Sequence, residues 1–157
     1  MAVVELVPAT LEYAASIAAR LRQSDRDELA ASGFGDVAAT VANGVITSPR
    51  SWALCVDGSP EAIAGVSPVS LLGSLGSPWM VATDVMEAHQ RAFLRVSRPV
   101  VKEMSRLYGV LVNYVDDRNT VSIRWLKWCG FEMGEPVAYG PFGMPFRRFM
   151  MKGESNV

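Results

Sequence analysis

Three side chains able to move protons stand close together: Asp84, Glu87 and His89. They follow an apolar run, Trp79 to Thr83, that reads as a strand. His89 is the only histidine, and its ordinary pKa alone among the side chains suits proton transfer near neutrality. A carboxylate at Asp84, where the strand ends, is placed to serve as a base; it is equally well placed to cap a helix. Gln90 and Arg91 come next, and Arg95 and Arg98 follow at helical spacing. Such arginines either hold an anion or form the solvated face of a helix. A second polar position, Asn119, stands after Asp116, Asp117 and Arg118 and before a helix-patterned run, which makes it a helix cap. Cys55 and Cys129 are far apart in apolar segments. With one histidine they do not make a usual structural zinc site, and they read as reduced core residues of an intracellular protein.

The elements that must position these groups can be read from periodicity and turn residues. The chain has 157 residues, 50% of them hydrophobic and 20% charged, with a net charge of -1. That composition supports a packed core and argues against disorder and against a nucleic-acid-binding polycation. No apolar run reaches the roughly 20 residues of a membrane-spanning helix. Met1 to Pro8 lacks a basic leader region and reads as a first strand. Thr10 caps a helix carrying Leu11, Ala14, Ile17, Ala18 and Leu21 on one face. A charged stretch, Arg20 to Glu28, leads into a helix from Asp25 to Ala31 capped by Ser24, and Val37 to Val45 is a weaker helix. Trp52 to Val56 and Ala62 to Val66 are strands joined at Asp57-Gly58, a hairpin signal. Ser67 to Pro78 reads as a loop, and Ala88 to Leu107 as a helix that either kinks or restarts at Pro99. Val110 to Val115 is a buried strand, Thr120 to Cys129 a helix ended by Gly130, and Phe131 to Met133 a short strand. Gly134 to Pro145 reads as a loop before a last strand, Phe146 to Met151. The expected fold is α/β, in the order β-α-α-β-β-β-α-β-α-β-β, with a mixed, partly parallel sheet covered by helices on both faces. One domain should span residues 1–152, with a short disordered tail at 153–157.

The stretch NYVDDRNTVSIRWLKWCGFE, from Asn113 to Glu132, resembles the closing strand-helix-strand unit of the GNAT N-acetyltransferases. Asn119, the helix, and the Gly130-Phe131 pair keep that family's spacing, and the element order resembles it over nearly the whole chain. A narrower resemblance covers roughly residues 50 to 151. It is to small proteins of tailed phages, including internal virion proteins of short-tailed phages, which share stretches like PWMVATDVMEAHQRAFLR and FGMPFRRFMM.

The resemblance implies acetyl-CoA as the ligand. Its pantetheine arm would lie along the strand backbone at Val81, Thr83 and Val85, with Asn119 near that arm. The pyrophosphate would sit at a turn beginning at Gln90 and Arg91. There the family pattern has glycine, but this chain has Phe93 and Arg95, so arginine side chains must compensate. Many family members also carry a proton-donating Tyr four residues before the Gly; here it is Leu126, with Tyr108, Tyr114 and Tyr139 as substitutes. Asp84 and His89 are the candidates for the base. Two functions follow, beside the plainer option of a CoA- or nucleotide-binding regulator with no turnover. One is acetyl transfer to an amine. The other is a non-catalytic, virion-associated role, in the host cytoplasm or in the particle, with phage structural proteins or a second copy as partners. The Met- and Phe-rich tail, including Phe142 and Phe149, is the candidate contact surface for that role.

Overall fold

The computed structural model describes residues 1–70 and 72–153. Residues 154–157 of the expected tail lie outside the described residues. The first half of the chain runs β1 (Val4–Pro8), α1 (Leu11–Ala18), α2 (Gln23–Ala31), α3 (Val37–Thr47), β2 (Arg50–Val56), β3 (Ser59–Pro68) and β4 (Leu75–Ala82). A 3-10 turn, Asp84–His89, then leads to α4 (Gln90–Leu107), β5 (Val110–Asp116), α5 (Thr120–Cys129), β6 (Glu132–Tyr139) and β7 (Met144–Lys152). The strands make one seven-stranded sheet in the order β1-β2-β3-β4-β5-β7-β6. Every neighbouring pair is antiparallel except β4 and β5. The expected fold class therefore holds, with α3 as a full helix.

Caps start the helices where the sequence places them. Thr10 accepts the Tyr13 amide at 3.0 Å, Asp36 accepts that of Ala39 at 3.0 Å, and Asn119 accepts that of Ser122 at 3.2 Å. Gly130 ends α5 at φ 107, a left-handed conformation that costs a side chain energy. Helix α2 differs: it starts at Gln23, and its N-cap, Arg22, makes no side-chain capping bond.

Strand alternation sorts the core into two layers. Ile63 and Val81 turn to α1 and α3, joining Ala14, Ile17 and Val41. Val66, Leu111, Val115 and Phe149 turn the other way, joining Val100, Met104 and Leu126 from α4 and α5. Gly44 and Gly65 let the Trp79 indole lie flat between α3 and the sheet, because an added Cβ would come within 2.9 and 2.8 Å of its ring.

Three expectations change. Strand β4 begins inside the Gly/Ser/Pro stretch read as a loop. Half of Gly134 to Pro145, from Gly134 to Tyr139, belongs to strand β6, which lies at the sheet edge; Pro136 falls at its register shift, where a missing N–H costs nothing. Finally, α4 runs unbroken through Pro99, held by its buried face of Val100, Val101 and Met104.

Candidate active site

Strands β4 and β5 pair only at Leu75–Val110 and Gly76–Leu111 and then diverge. The sequence dictates where this happens. Val110 donates to Ser74 at 3.1 Å, so even-numbered residues turn this edge of β4 toward β5. The next donor on that edge would be residue 78, which is a proline and has no N–H. The side chain of Asn113 fills the break. Its Nδ2 donates to Pro78 O at 2.7 Å, and its Oδ1 accepts the Tyr114 N–H at 2.8 Å. One amide side chain thus replaces the missing rung and satisfies a backbone group on each strand. Beyond it, the backbone N–H and C=O of Met80 turn into the open gap, because Met80 faces Ala64 across a non-hydrogen-bonded pair.

Helix α2 closes the far end of the gap. The Arg22 N–H donates to Ala82 O at 3.0 Å, and Asp25 Oδ2 accepts the Ala82 N–H at 2.9 Å. Arg22 Nε and Nη2 also donate to Asp25, at 3.0 Å each. On the β5 side, Glu28 Oε1 accepts the Asp116 N–H at 2.8 Å. Asp116 is itself bound by the Arg118 guanidinium, which holds its carboxyl below the usual range against the opposing effect of burial. Glu28 has no bonded cation, and the charge of Arg22 is the smallest of the influences on it. Burial pushes its pKa up to about 7; the Asp116 N–H works against that shift, and the Asp25 and Asp116 charges add to it. This is the one carboxyl here poised to exchange a proton near neutrality.

A cavity of about 520 Å³ surrounds the gap and is lined from both faces of the sheet. On the α4–α5 side its wall is apolar, with Phe93, Val96, Val100, Trp125 and Leu126. Phe93 and Trp125 lie against each other with ring centroids 5.2 Å apart, and the Trp125 Nε1 donates to Ser97 at 3.1 Å. On the α2–α3 side the wall includes Glu28, Asp25, Phe34, Trp79, Tyr114 and Tyr139. Tyr114 and Tyr139 stack with centroids 4.5 Å apart. Burial first, then Tyr114 and Glu28, raises the Tyr139 pKa, so that phenol stays protonated at neutral pH. Neither Phe93 nor Trp79 fills the cleft: Trp79 is tied back to Ser48 by a 2.9 Å bond from Nε1.

The residues expected from sequence are only partly here. Asp84 and His89 lie on the 3-10 turn and α4 cap and do not line the cavity, whereas Glu28 does. Val81 lines the cavity, but by alternation its backbone pairs with Ile63. The Thr83 N–H is given to Glu61 O at 2.9 Å, and its hydroxyl bonds the Glu61 carboxylate. The backbone facing the gap is therefore shifted by one residue, to Met80 and Ala82. Val85 is exposed on the 3-10 turn, Gln90 and Arg91 are exposed on the first turn of α4, and Asn119 caps α5 away from the cavity. Arg98 is committed elsewhere, lying 3.9 Å from the Trp128 ring centroid. Tyr108 is buried against Gly76, which leaves Tyr114 and Tyr139 as the phenols on the wall. Sequence reasoning missed Glu28, Asp25 and Asn113. A signal for the first two exists: Asp25 and Glu28 share a face of α2, and that helix has no apolar stripe to bury in their place. Among the described residues no three His, Cys, Asp or Glu side chains are grouped to hold a metal, and no helix is long and apolar enough to cross a membrane.

No family model matches this chain, and no curated protein does. Solved structures do. An aminoglycoside acetyltransferase in complex with coenzyme A superposes with a TM-score of 0.68 at 15% identity, covering 96% of this chain and 95% of that one. A GNAT-family acetyltransferase from Bacillus anthracis gives 0.66 at 10% identity, with 97% and 96% covered. The yncA protein of Salmonella typhimurium, solved with its cofactor acetyl-CoA, gives 0.64 at 11% identity, with 98% and 96% covered. At these identities the likeness is one of fold: the chain has the GNAT fold over nearly its whole length.

Proposed function

We propose that this chain binds acetyl-CoA in the β4–β5 gap and transfers its acetyl group to an amine, with Glu28 as the base. The observation that carries the reading is Glu28 itself: a half-buried carboxylate that makes no ion pair, held at the end of an open strand gap. The gap suits a pantetheine arm, because the Met80 N–H and C=O offer it an amide-pairing edge and Phe93, Val96 and Trp125 offer an apolar wall. When bound, the ligand supplies an activated acetyl thioester. Solved structures of this fold hold coenzyme A or acetyl-CoA, which supports the choice of ligand. At the pyrophosphate end, Arg91 and Arg95 stand exposed near the start of α4 in place of a glycine turn.

Above pH about 7 the Glu28 carboxylate is ionised and can accept a proton from an incoming ammonium or amine. Tyr114 and Tyr139 are the cavity hydroxyls able to give a proton to the departing thiolate in place of Leu126. Calorimetric titration with acetyl-CoA tests the binding half, and thiol release with an amine panel tests the transfer half. Saturable micromolar binding is expected; no heat at millimolar ligand would end this reading.

A second reading is a non-catalytic role in a phage particle. Its supports are the resemblance over residues 50 to 151 and the departures at Phe93 and Leu126. It would place the protein in the host cytoplasm during infection or in the virion, beside phage structural proteins. The contact surface imagined in the tail strand has to move: Phe146 and Phe149 are core residues, and Phe142 and Val137 are the exposed apolar groups of the β6–β7 hairpin. Recovery of the chain from purified particles, with no acetyl-CoA binding, would favour this role.

A further inference from the structure

The acceptor side of the cavity has a chemical signature of its own. Its walls are rings: Tyr114 stacked on Tyr139 at 4.5 Å and 17°, Phe146 behind Tyr139 at 4.7 Å, and Phe34 and Trp79 alongside. Its charges are unbalanced in one direction. Arg22 is the only Arg or Lys lining the cavity among the described residues, and two of its nitrogens are spent on the two oxygens of Asp25. The nearby Arg118 is spent in the same way on Asp116. Glu28 makes no ion pair: its bond is to the Asp116 N–H, and the Arg22 guanidinium whose charge reaches it is already bound to Asp25.

Building on the acetyl-transfer reading, we infer that the acceptor is a small primary amine on an uncharged aromatic or apolar body, and that amines carrying a carboxylate or phosphate are rejected. The carboxylate attracts the ammonium, and the ring faces favour both a cation and a flat apolar body. An anion on the substrate would meet Glu28 without a free guanidinium to offset it, and burying it unpaired is costly. The cavity volume of about 520 Å³ is shared with the thioester arm, so the acceptor must be compact.

The test uses matched pairs that differ by one carboxylate: tyramine against tyrosine, and phenethylamine against phenylalanine. The full chain is first titrated with acetyl-CoA, and thiol release is then followed with each amine. The expected result is a kcat/KM at least about tenfold higher for each decarboxylated partner. Phe34→Ala, at a half-exposed rim position, should raise the KM for tyramine several-fold with the KM for acetyl-CoA unchanged. A chain that binds acetyl-CoA but acetylates tyrosine as fast as tyramine, or acetylates neither amine, overturns this inference and leaves the ligand assignment standing. A chain that does not bind acetyl-CoA overturns both.

Discussion

Strand β4 has two edges with opposite characters. Toward β3 it keeps an unbroken antiparallel register from Ala82 to Gly76, and odd-numbered residues exchange backbone bonds. Toward β5 it pairs at two positions and is then held by side chains: Asn113 at Pro78, and Asp25 at Ala82. A regular ladder leaves no room for a ligand. A ladder interrupted by one proline, and partly satisfied again by polar side chains, leaves a gap with directed backbone groups, and the side chains that make the repair are themselves hydrogen-bonded. The contrast sets the proposed ligand gap at the repaired edge, and each repair can be removed singly.

Removing the proposed base should have the largest effect. Glu28→Gln should lower the transfer rate by about a hundredfold or more, with acetyl-CoA affinity retained. The wild-type pH profile of kcat/KM should rise through about 7, and the variant should lose that rise. The same group sets a stability trend. Its folded pKa of about 7 lies above the ordinary 4.5, so its contribution is fully present below about 4.5 and is lost as pH rises through about 7. The loss amounts to at most about 3 kcal/mol, and chemical denaturation at pH 5 and pH 8 should find it in the wild type and not in Glu28→Gln. Next in size, Asn113→Ala leaves Pro78 O and Tyr114 N–H without their rung. It should cost about 1–3 kcal/mol in thermal or urea unfolding and weaken acetyl-CoA binding. An unchanged affinity would mean the gap holds its width without the asparagine. The smallest effect is expected at Arg91→Ala, an exposed cation near the pyrophosphate end. A loss of affinity of a few-fold, shrinking with added salt, would place that arginine on the ligand.

The fold was legible because its elements carry strong local signals. Thr10, Asp36 and Asn119 cap where short polar residues precede apolar periodicity, and Asp57-Gly58 turns the β2–β3 hairpin with both residues at positive φ. Strand β6 was not legible, because Gly134, Pro136 and Gly140 look like loop residues until the edge position excuses them. The site was less legible than the fold. Asp84 and His89 were chosen for their residue types and their nearness to a strand end. Glu28 becomes a candidate base through desolvation and a bond to the Asp116 amide 88 residues away, neither of which has a local signature. Alternation along β4 gives two phases, and only pairing with β3 chooses between them, turning the backbone of Met80 and Ala82 rather than Val81 and Thr83 toward the gap.

The bond from the Asp116 N–H to Glu28 has one further consequence. It commits one carboxylate oxygen to the backbone of β5, so proton exchange must use the other. The same bond holds the Glu28 pKa down against burial. A molecule that wedges β5 away from α2 would stretch it and make the carboxylate more basic. The spacing of β5 from α2 and the basicity of the proposed proton acceptor are thus linked through a single peptide group.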